Sequence, residues 1–238
     1  MSGIQTIPLI NLSYTFIPVV IVIGILVKWS LNAGNAIYAM CRMLAQLLII
    51  GYFLVYIFDS KHPAVIILVL SVMVVASSWI ALRTLQDKRR LLFKYTFFSI
   101  LLGGGLTLAL VSQAVLVLKP WYEPQYMIPL AGMIFANSMT SVSLAVERLN
   151  AELERDIDYD KARNIAFQAA MIPIINSLFA VGLVSLPGMM TGQILSGVSP
   201  LIAIRYQIMV MCMLFGASGI TTACFLVWVK PLFAKNQE

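Results

Sequence analysis

Polar side chains that could bind or guide a ligand interrupt several long apolar runs of this sequence. One run carries five of them within seven residues, at Asn137, Ser138, Thr140, Ser141 and Ser143. Asn137 and Ser141 are four residues apart, so a helix places them on one face. In an apolar helix such groups either hydrogen bond to a neighbouring helix or line a path for a polar solute. Both interpretations stay open.

Two further polar groups stand in apolar runs. Arg42 and Gln46 are also four residues apart, and they either line a cavity or place the arginine at a membrane interface. Asn176 follows Pro173, whose ring frees a backbone carbonyl that a nearby amide can satisfy. The candidates for the lining of a polar path are therefore Asn137, Ser141, Asn176, Arg42 and Gln46.

Metal-ligating residues form no recognisable site. The thirteen methionines are typical fillers of apolar helices, and the three cysteines stand apart without a CxxC pair. The single histidine, His62, has only Asp59 nearby in the sequence. We expect no cofactor bound by this chain, and the ligands of any metal stay unknown.

The composition indicates which elements carry these groups. Apolar residues make up 61% and charged residues 11%, against about 45–50% and about 25% in soluble domains. A membrane-spanning helix needs about 20 apolar residues. Hydropathy predicts one all-α membrane domain over residues 1–238, with about seven spans near 14–28, 38–58, 63–82, 94–118, 126–147, 166–186 and 204–229.

Lysine and arginine are distributed unequally between the segments that connect these spans. One set of segments holds Lys28, Arg83, Lys88, Arg89, Arg90, Lys94, Arg148, Arg155, Lys161, Arg163, Lys230 and Lys235, and the other holds Lys61, Lys119 and Arg205. Because basic segments stay in the cytoplasm, the N-terminus is predicted outside and the C-terminus inside. The net charge of +6 is explained by lipid headgroups, so we expect no nucleic-acid binding.

The longest cytoplasmic connection, about 147–165, mixes acidic and basic residues. Its composition favours a helix on the membrane surface. Together with Arg83–Lys94 it is the only connection long enough to bind a cytoplasmic partner. Its candidate contact residues are Glu147, Arg148, Glu152, Arg155, Lys161 and Arg163.

The segment Leu186–Gly197 is too polar to face lipid and too apolar for a solvated loop. Gly188, Gly192 and Ser196 recur every four residues, which favours close helix packing. Pro187 can start a short helix and Pro200 can end it. We predict a short helix or re-entrant element packed at an outer gate or dimer seam, with candidate residues Leu186, Pro187, Gly188, Met189, Met190, Thr191, Gly192, Gln193, Gly197 and Arg205.

The same segment carries a family resemblance. Asn176-Ser177 and the stretch VGLVSLPGMMTGQILSGVSPLIAIRYQIMVM (181–211) closely resemble the permease subunits of iron-export ABC transporters, a bacterial family with plant relatives implicated in aluminium tolerance. The likeness extends more weakly through GMIFANSMTSVSLAVERLNAEL (132–153). It implies a multi-pass cell-membrane protein that exports metal ions as a homodimer, with ATP bound by a separate ATP-binding cassette subunit.

One departure concerns the cytoplasmic connection. The family usually has a longer one, with a glycine before the sixth span, whereas 147–163 is compact and contains no glycine. Which residues would contact the ATPase therefore stays open.

Other function classes find less support. The sequence contains no GxxxxGK[ST] phosphate loop, and the glycines at 103–105 lie within a span with no lysine after them. An intramembrane enzyme needs paired acids, and none of the ten acids lies deep in a predicted span. A retinal protein needs a lysine in mid-membrane, whereas Lys230 lies at a span end. We therefore expect a non-catalytic subunit, the alternative being an ATP-independent carrier or a membrane scaffold.

Overall fold

The computed structural model describes residues 7–59 and 62–234, so Lys61 and Lys235 lie outside the described residues. The helices are α1 Leu9–Ser13, α2 Phe16–Lys28, α3 Ala33–Asp59, α4 Pro63–Ala81, α5 Arg89–Leu110, α6 Pro124–Leu153, α7 Tyr159–Ala180, α8 Gly188–Leu195, α9 Pro200–Trp228 and α10 Lys230–Ala234. A π-helical turn, Val111–Val115, continues α5. The predicted all-α fold is confirmed.

The chain divides into two compact units, Met1–Ser60 and Lys61–Glu238. In the first unit, the Ser13 and Thr15 hydroxyls donate to backbone carbonyls where α1 meets α2. The helices α2 and α3 bury no side chain. Since α3 begins at Ala33, Arg42 lies about 14 Å along this helix. Arg42 therefore does not lie at the start of its helix.

The second unit is a helical bundle in which the most extensive contacts join α5 to α9, α6 to α7 and α6 to α9. Lys88 at the start of α5 lies over the Phe233 ring beyond α9, at 5.0 Å from its centroid. Its ammonium also donates to Asn150 near the end of α6, at 2.9 Å. The start of α5 and the ends of α6 and α9 therefore meet at one end of this unit, which we call the basic end.

Six helical segments of the described chain are long and apolar enough to cross a membrane, and α7 is not among them. Yet α7 runs antiparallel to α9 inside the bundle. Tyr159 at its start contacts Leu226, and Met171 packs with Met211. The helix α7, which covers most of the predicted sixth span, therefore lies alongside the spanning helices. Its hydropathy is lowered by polar residues on its exposed side.

Two predicted boundaries are wrong. The helix α6 continues to Leu153, so the connection 147–165 is not a helix on the membrane surface. It is a helical hairpin with a turn of five residues. The helix α7 ends at Ala180 rather than at 186, because Gly182 takes a φ of +83° and reverses the chain.

Candidate functional site

A cluster of buried hydroxyls lies where α5, α6 and α9 meet. The Thr221 hydroxyl on α9 donates to the Ser138 hydroxyl on α6, at 3.3 Å. At Gly103 of α5, an added Cβ would come within 3.0 Å of the Thr221 backbone. Further buried hydroxyls on the same three helices are Thr96, Ser99, Ser141, Ser218 and Thr222. At Gly103 the helices α5 and α9 pack closely.

Two predicted path residues belong to this packed region. Ser141 is buried beside the hydroxyl cluster on α6. Asn137 is half-buried, and its amide donates to the Met133 carbonyl of the same helix at 2.9 Å. Asn137 is therefore hydrogen bonded within its own helix, and Ser141 is buried among helices.

A band of exposed amides runs along the outer side of α7. Asn164, Gln168 and Asn176 are all exposed. The opposite side of α7 is buried on α6 and α9 and carries Ala162, Ala166 and Ala170. We name Asn164, Gln168 and Asn176 the amide band. Of these three amides, the sequence pattern predicted only Asn176. The alanines spaced four residues apart would have identified the buried side of α7, and therefore the amides that face outward.

Two members of the amide band, Asn164 and Gln168, border an open groove between α7 and α9. Two adjoining cavities of about 330 and 460 Å³ share Phe167 and Gln168 as wall residues. The α9 side of the groove carries small residues among larger apolar ones, namely Phe215, Gly216, Gly219, Ile220, Ala223, Leu226 and Val227. The groove thus combines polar amides with an apolar helix surface.

The hairpin between α6 and α7 carries the predicted contact residues for a partner. Glu152 is buried, with its Oε1 2.5 Å from Arg148 Nη2 and 3.6 Å from Arg155 Nη1. These contacts are ion pairs without hydrogen-bond alignment. Glu147 and Lys161 are exposed on α6 and α7, so the hairpin presents both charge signs outward.

The hairpin is also fixed to the end of α9. The Tyr159 hydroxyl donates to the Leu226 carbonyl at 2.5 Å. Asp160 pairs with Arg163 at 3.0 Å and with Lys230 at 3.1 Å. Burial raises the pKa of Tyr159 to about 12, with the nearby Arg163 lowering and Asp160 raising it less. The phenol therefore stays protonated and donates at neutral pH.

The segment Leu186–Gly197 forms the short helix α8, as predicted. Pro187 directly precedes it. The helix ends at Leu195, with Gly197 at a φ of +90°, whereas Pro200 begins α9. The prediction that Pro200 ends the helix is wrong, because the chain has already turned at Gly197.

The small-residue row of α8 is not packed within the described chain. No heavy atom lies within 4 Å of a Cβ added at Gly188 or Gly192, and Met190 is the buried residue of this helix. A cavity of about 510 Å³ lies between α8 and the starts of α6 and α9. Gln193 lines it with a buried Oε1 that accepts no hydrogen bond.

The other predicted site residues stand apart. Arg42 and Gln46 are exposed on α3 of the first unit, and Arg205 is exposed on α9. In the described chain, no three histidine, cysteine or acidic side chains come together as a metal site.

The chain is similar to several known membrane proteins. The profile of the family described as "Uncharacterised protein family (UPF0014)" matches residues 9–233. The chain is 36% identical to "UPF0014 membrane protein slr1647" of Synechocystis, over 90% of this chain and 89% of that protein. It is 33% identical to "Probable iron export permease protein FetB" of Escherichia coli, over 85% and 83% of the two chains. It is 32% identical to "Protein ALUMINUM SENSITIVE 3" of Arabidopsis thaliana, over 88% and 83%. No solved structure matches.

Proposed function

The chain belongs to the UPF0014 family of multi-pass membrane proteins, and we propose that it is the permease subunit of an ATP-driven metal exporter. In this proposal two copies form the membrane part, and a separate ATP-binding cassette subunit hydrolyses ATP. The relative in Escherichia coli is named a probable iron export permease, which supports transport and suggests iron as the substrate. The sequence itself contains no phosphate loop, so in this proposal the energy comes from another chain.

The hairpin at the basic end is the observation that carries the proposal. Its buried Glu152 fixes the end of α6, and Tyr159 and Asp160 join the start of α7 to the end of α9. A force applied to the exposed turn therefore reaches three bundle helices at once. A coupling surface between an ATPase and a permease needs this property, because packed helices move as rigid bodies.

The amide band on α7 supports a path between two copies of the chain. The exposed side chains of Gln168 and Asn176 are costly in lipid, where unpaired polar groups have no partner, whereas the Asn164 carbonyl accepts from Arg163. A second copy facing α7 would enclose them around a wet path. In this proposal the path is lined by Asn164, Gln168 and Asn176, and not by Asn137 and Ser141.

Amide oxygens are hard, neutral ligands, which suit a cation that is transported rather than one that stays bound. A conducting path has to bind its ion weakly enough to release it. The lack of a tight metal cluster in the described chain is compatible with that requirement. A bound, structural metal is not part of the proposal.

Co-purification tests the proposal. The tagged chain should retain the ATP-binding subunit encoded next to its gene, and the hairpin double variant Arg155→Glu with Lys161→Glu should release that subunit. Lys28→Glu, an exposed charge reversal at the end of α2 and outside both candidate connections, is the control and should retain it. If the unaltered chain retains no ATPase subunit, the chain is an uncoupled carrier or scaffold and the proposal fails.

A further inference from the structure

A second feature of the bundle is a deep apolar cavity that the proposed transport does not use. It has a volume of about 630 Å³ and lies between α4, α5 and α6. Leu70 and Val74 of α4, Leu101 and Leu108 of α5, and Phe135 of α6 line it. The volume is within the range of ligand sites in proteins, about 300–1,000 Å³.

The polar groups of this cavity lie mainly at one end. Ser112 and Gln113 of the π-helical turn and Trp121 before α6 line that end, and the Gln113 amide donates to the Ser112 hydroxyl. This end is opposite to the basic end, since α5 finishes and α6 begins here. Tryptophan is enriched at this level of membrane proteins, where hydrocarbon meets headgroups.

A basic residue follows the polar end of the cavity in the chain. The Leu118 N–H donates to the Ser112 carbonyl at 3.0 Å, so the backbone of the following residue, Lys119, lies near this end. Lys119 is exposed, two residues before Trp121. The rim thus offers an ammonium, an amide and an indole next to an apolar interior.

This combination matches one ligand chemistry. The walls belong to apolar helices long enough to span a membrane, which suits a ligand that enters from the bilayer. A docked helix would need a row of small residues to approach closely. The walls instead carry the large rings of Phe97, Trp121 and Phe135.

We propose that this cavity holds one acyl chain of a phospholipid, with the headgroup phosphate at Lys119 and Gln113. An acyl chain is flexible and apolar, so it can fill an irregular cavity without hydrogen bonds. An ammonium beside the rim pairs with the phosphate of the same molecule. The site is a lipid site in the wall of the bundle, separate from the amide band of α7.

Gly105 gives a direct test. It lines the cavity, and no heavy atom lies within 4 Å of a Cβ added there. In Gly105→Phe the ring can occupy the cavity without meeting the backbone of another helix. Gly51→Phe on α3 is the matched control, since that glycine also has open space around it.

Native mass spectrometry of the protein, purified in mild detergent from a membrane containing phosphatidylglycerol, measures the bound lipid. We expect one tightly held phospholipid per chain in the unaltered protein and in Gly51→Phe, and its loss in Gly105→Phe. Lys119→Gln should lower lipid retention by about tenfold, the effect of about 1.4 kcal/mol.

Three outcomes would overturn the proposal. They are no retained lipid in the unaltered protein, unchanged retention in Gly105→Phe, and unchanged retention in Lys119→Gln, which would remove the headgroup assignment. Thermal unfolding of Gly105→Phe, compared with the unaltered protein, shows whether the variant folds. If it does not fold, Leu101→Trp repeats the filling from the neighbouring turn of α5, and the same loss of lipid is required.

Discussion

The Tyr159 hydroxyl donates a hydrogen bond to the carbonyl of Leu226, with 2.5 Å between the two oxygens. This contact joins the first residue of α7 to the last turn of α9, 67 residues away along the chain. Lys230 and Asp160 add an ion pair at the same place. The hairpin and the end of α9 should therefore move together.

Replacing Tyr159 by phenylalanine tests this contact. The change keeps the buried ring and removes the donor, so we expect a loss of about 1 kcal/mol in stability. Thermal unfolding of the purified protein measures it. Tyr52→Phe, at an exposed position on α3, should leave the unfolding temperature unchanged. Equal unfolding temperatures for both variants would show that the hydrogen bond contributes nothing.

The same tyrosine predicts an alkaline transition. Burial raises the pKa of Tyr159 to about 12, above the ordinary value of about 10. Its contribution is therefore fully present below pH 10 and is lost as the pH rises through 12. Unfolding followed from pH 8 to 12 should show a decline above pH 10 that is smaller in Tyr159→Phe. A decline of equal size in both proteins would contradict the assignment.

Two neighbouring glycines of α5 should respond differently to the same substitution. In Gly103→Ala the new methyl group meets the Thr221 backbone, at 2.7 Å from its nitrogen and 2.9 Å from its Cα. We expect destabilisation by about 1–3 kcal/mol, because two helices must separate. Gly105→Ala adds its methyl group to open space and should stay within about 0.5 kcal/mol of the unaltered protein. Thermal unfolding in detergent compares the stability of the two variants. Equal losses of stability would refute the close contact between Gly103 and Thr221.

The buried Glu152 should depend more on Arg148 than on Arg155. Arg148 is the nearer partner, at 2.5 Å against 3.6 Å, and its side chain is 45% exposed against 67%. We expect Arg148→Ala to destabilise the hairpin by about 1–3 kcal/mol, since it leaves a buried carboxylate poorly paired. Arg155→Ala should cost under about 1 kcal/mol. Protease cleavage at the turn 154–158 reports local opening, and faster cleavage in Arg155→Ala would reverse the assignment.

The amide band is tested by substitutions that keep side-chain size. Gln168→Leu together with Asn164→Leu should lower transport by about tenfold, or about 1.4 kcal/mol, while folding and assembly persist. Asn35→Leu, at an exposed position near the start of α3, should leave transport unchanged. Normal transport in the α7 double variant would place the path elsewhere.

Much of this fold follows from hydropathy and charge. The apolar runs predict each long helix of the chain, and the turn signals predict α8 after Pro187. The helix boundaries are less readable. Gly182 ends α7 by adopting positive φ, and the sequence alone does not distinguish such a glycine from one inside a helix, such as Gly104.

The candidate site was less predictable because hydropathy does not show which way each polar side chain of a helix faces. Ser141 and Gln168 are both polar residues of long helices, yet one faces a packed core and the other is exposed. That difference arises from which neighbouring helices each one meets. The row Ala162, Ala166 and Ala170 is the one local signal that would have oriented α7.

The central claim is that this chain transports a metal ion using energy from a separate ATPase. Proteoliposomes containing the chain and its ATP-binding subunit, with a fluorescent iron chelator on one side, measure this most directly. We expect movement of Fe²⁺ that requires ATP and is reduced by Gln168→Leu with Asn164→Leu. Iron movement at the same rate without ATP would contradict the account. So would ATP hydrolysis that metal ions do not stimulate and that is accompanied by no transport of metal ions across the membrane.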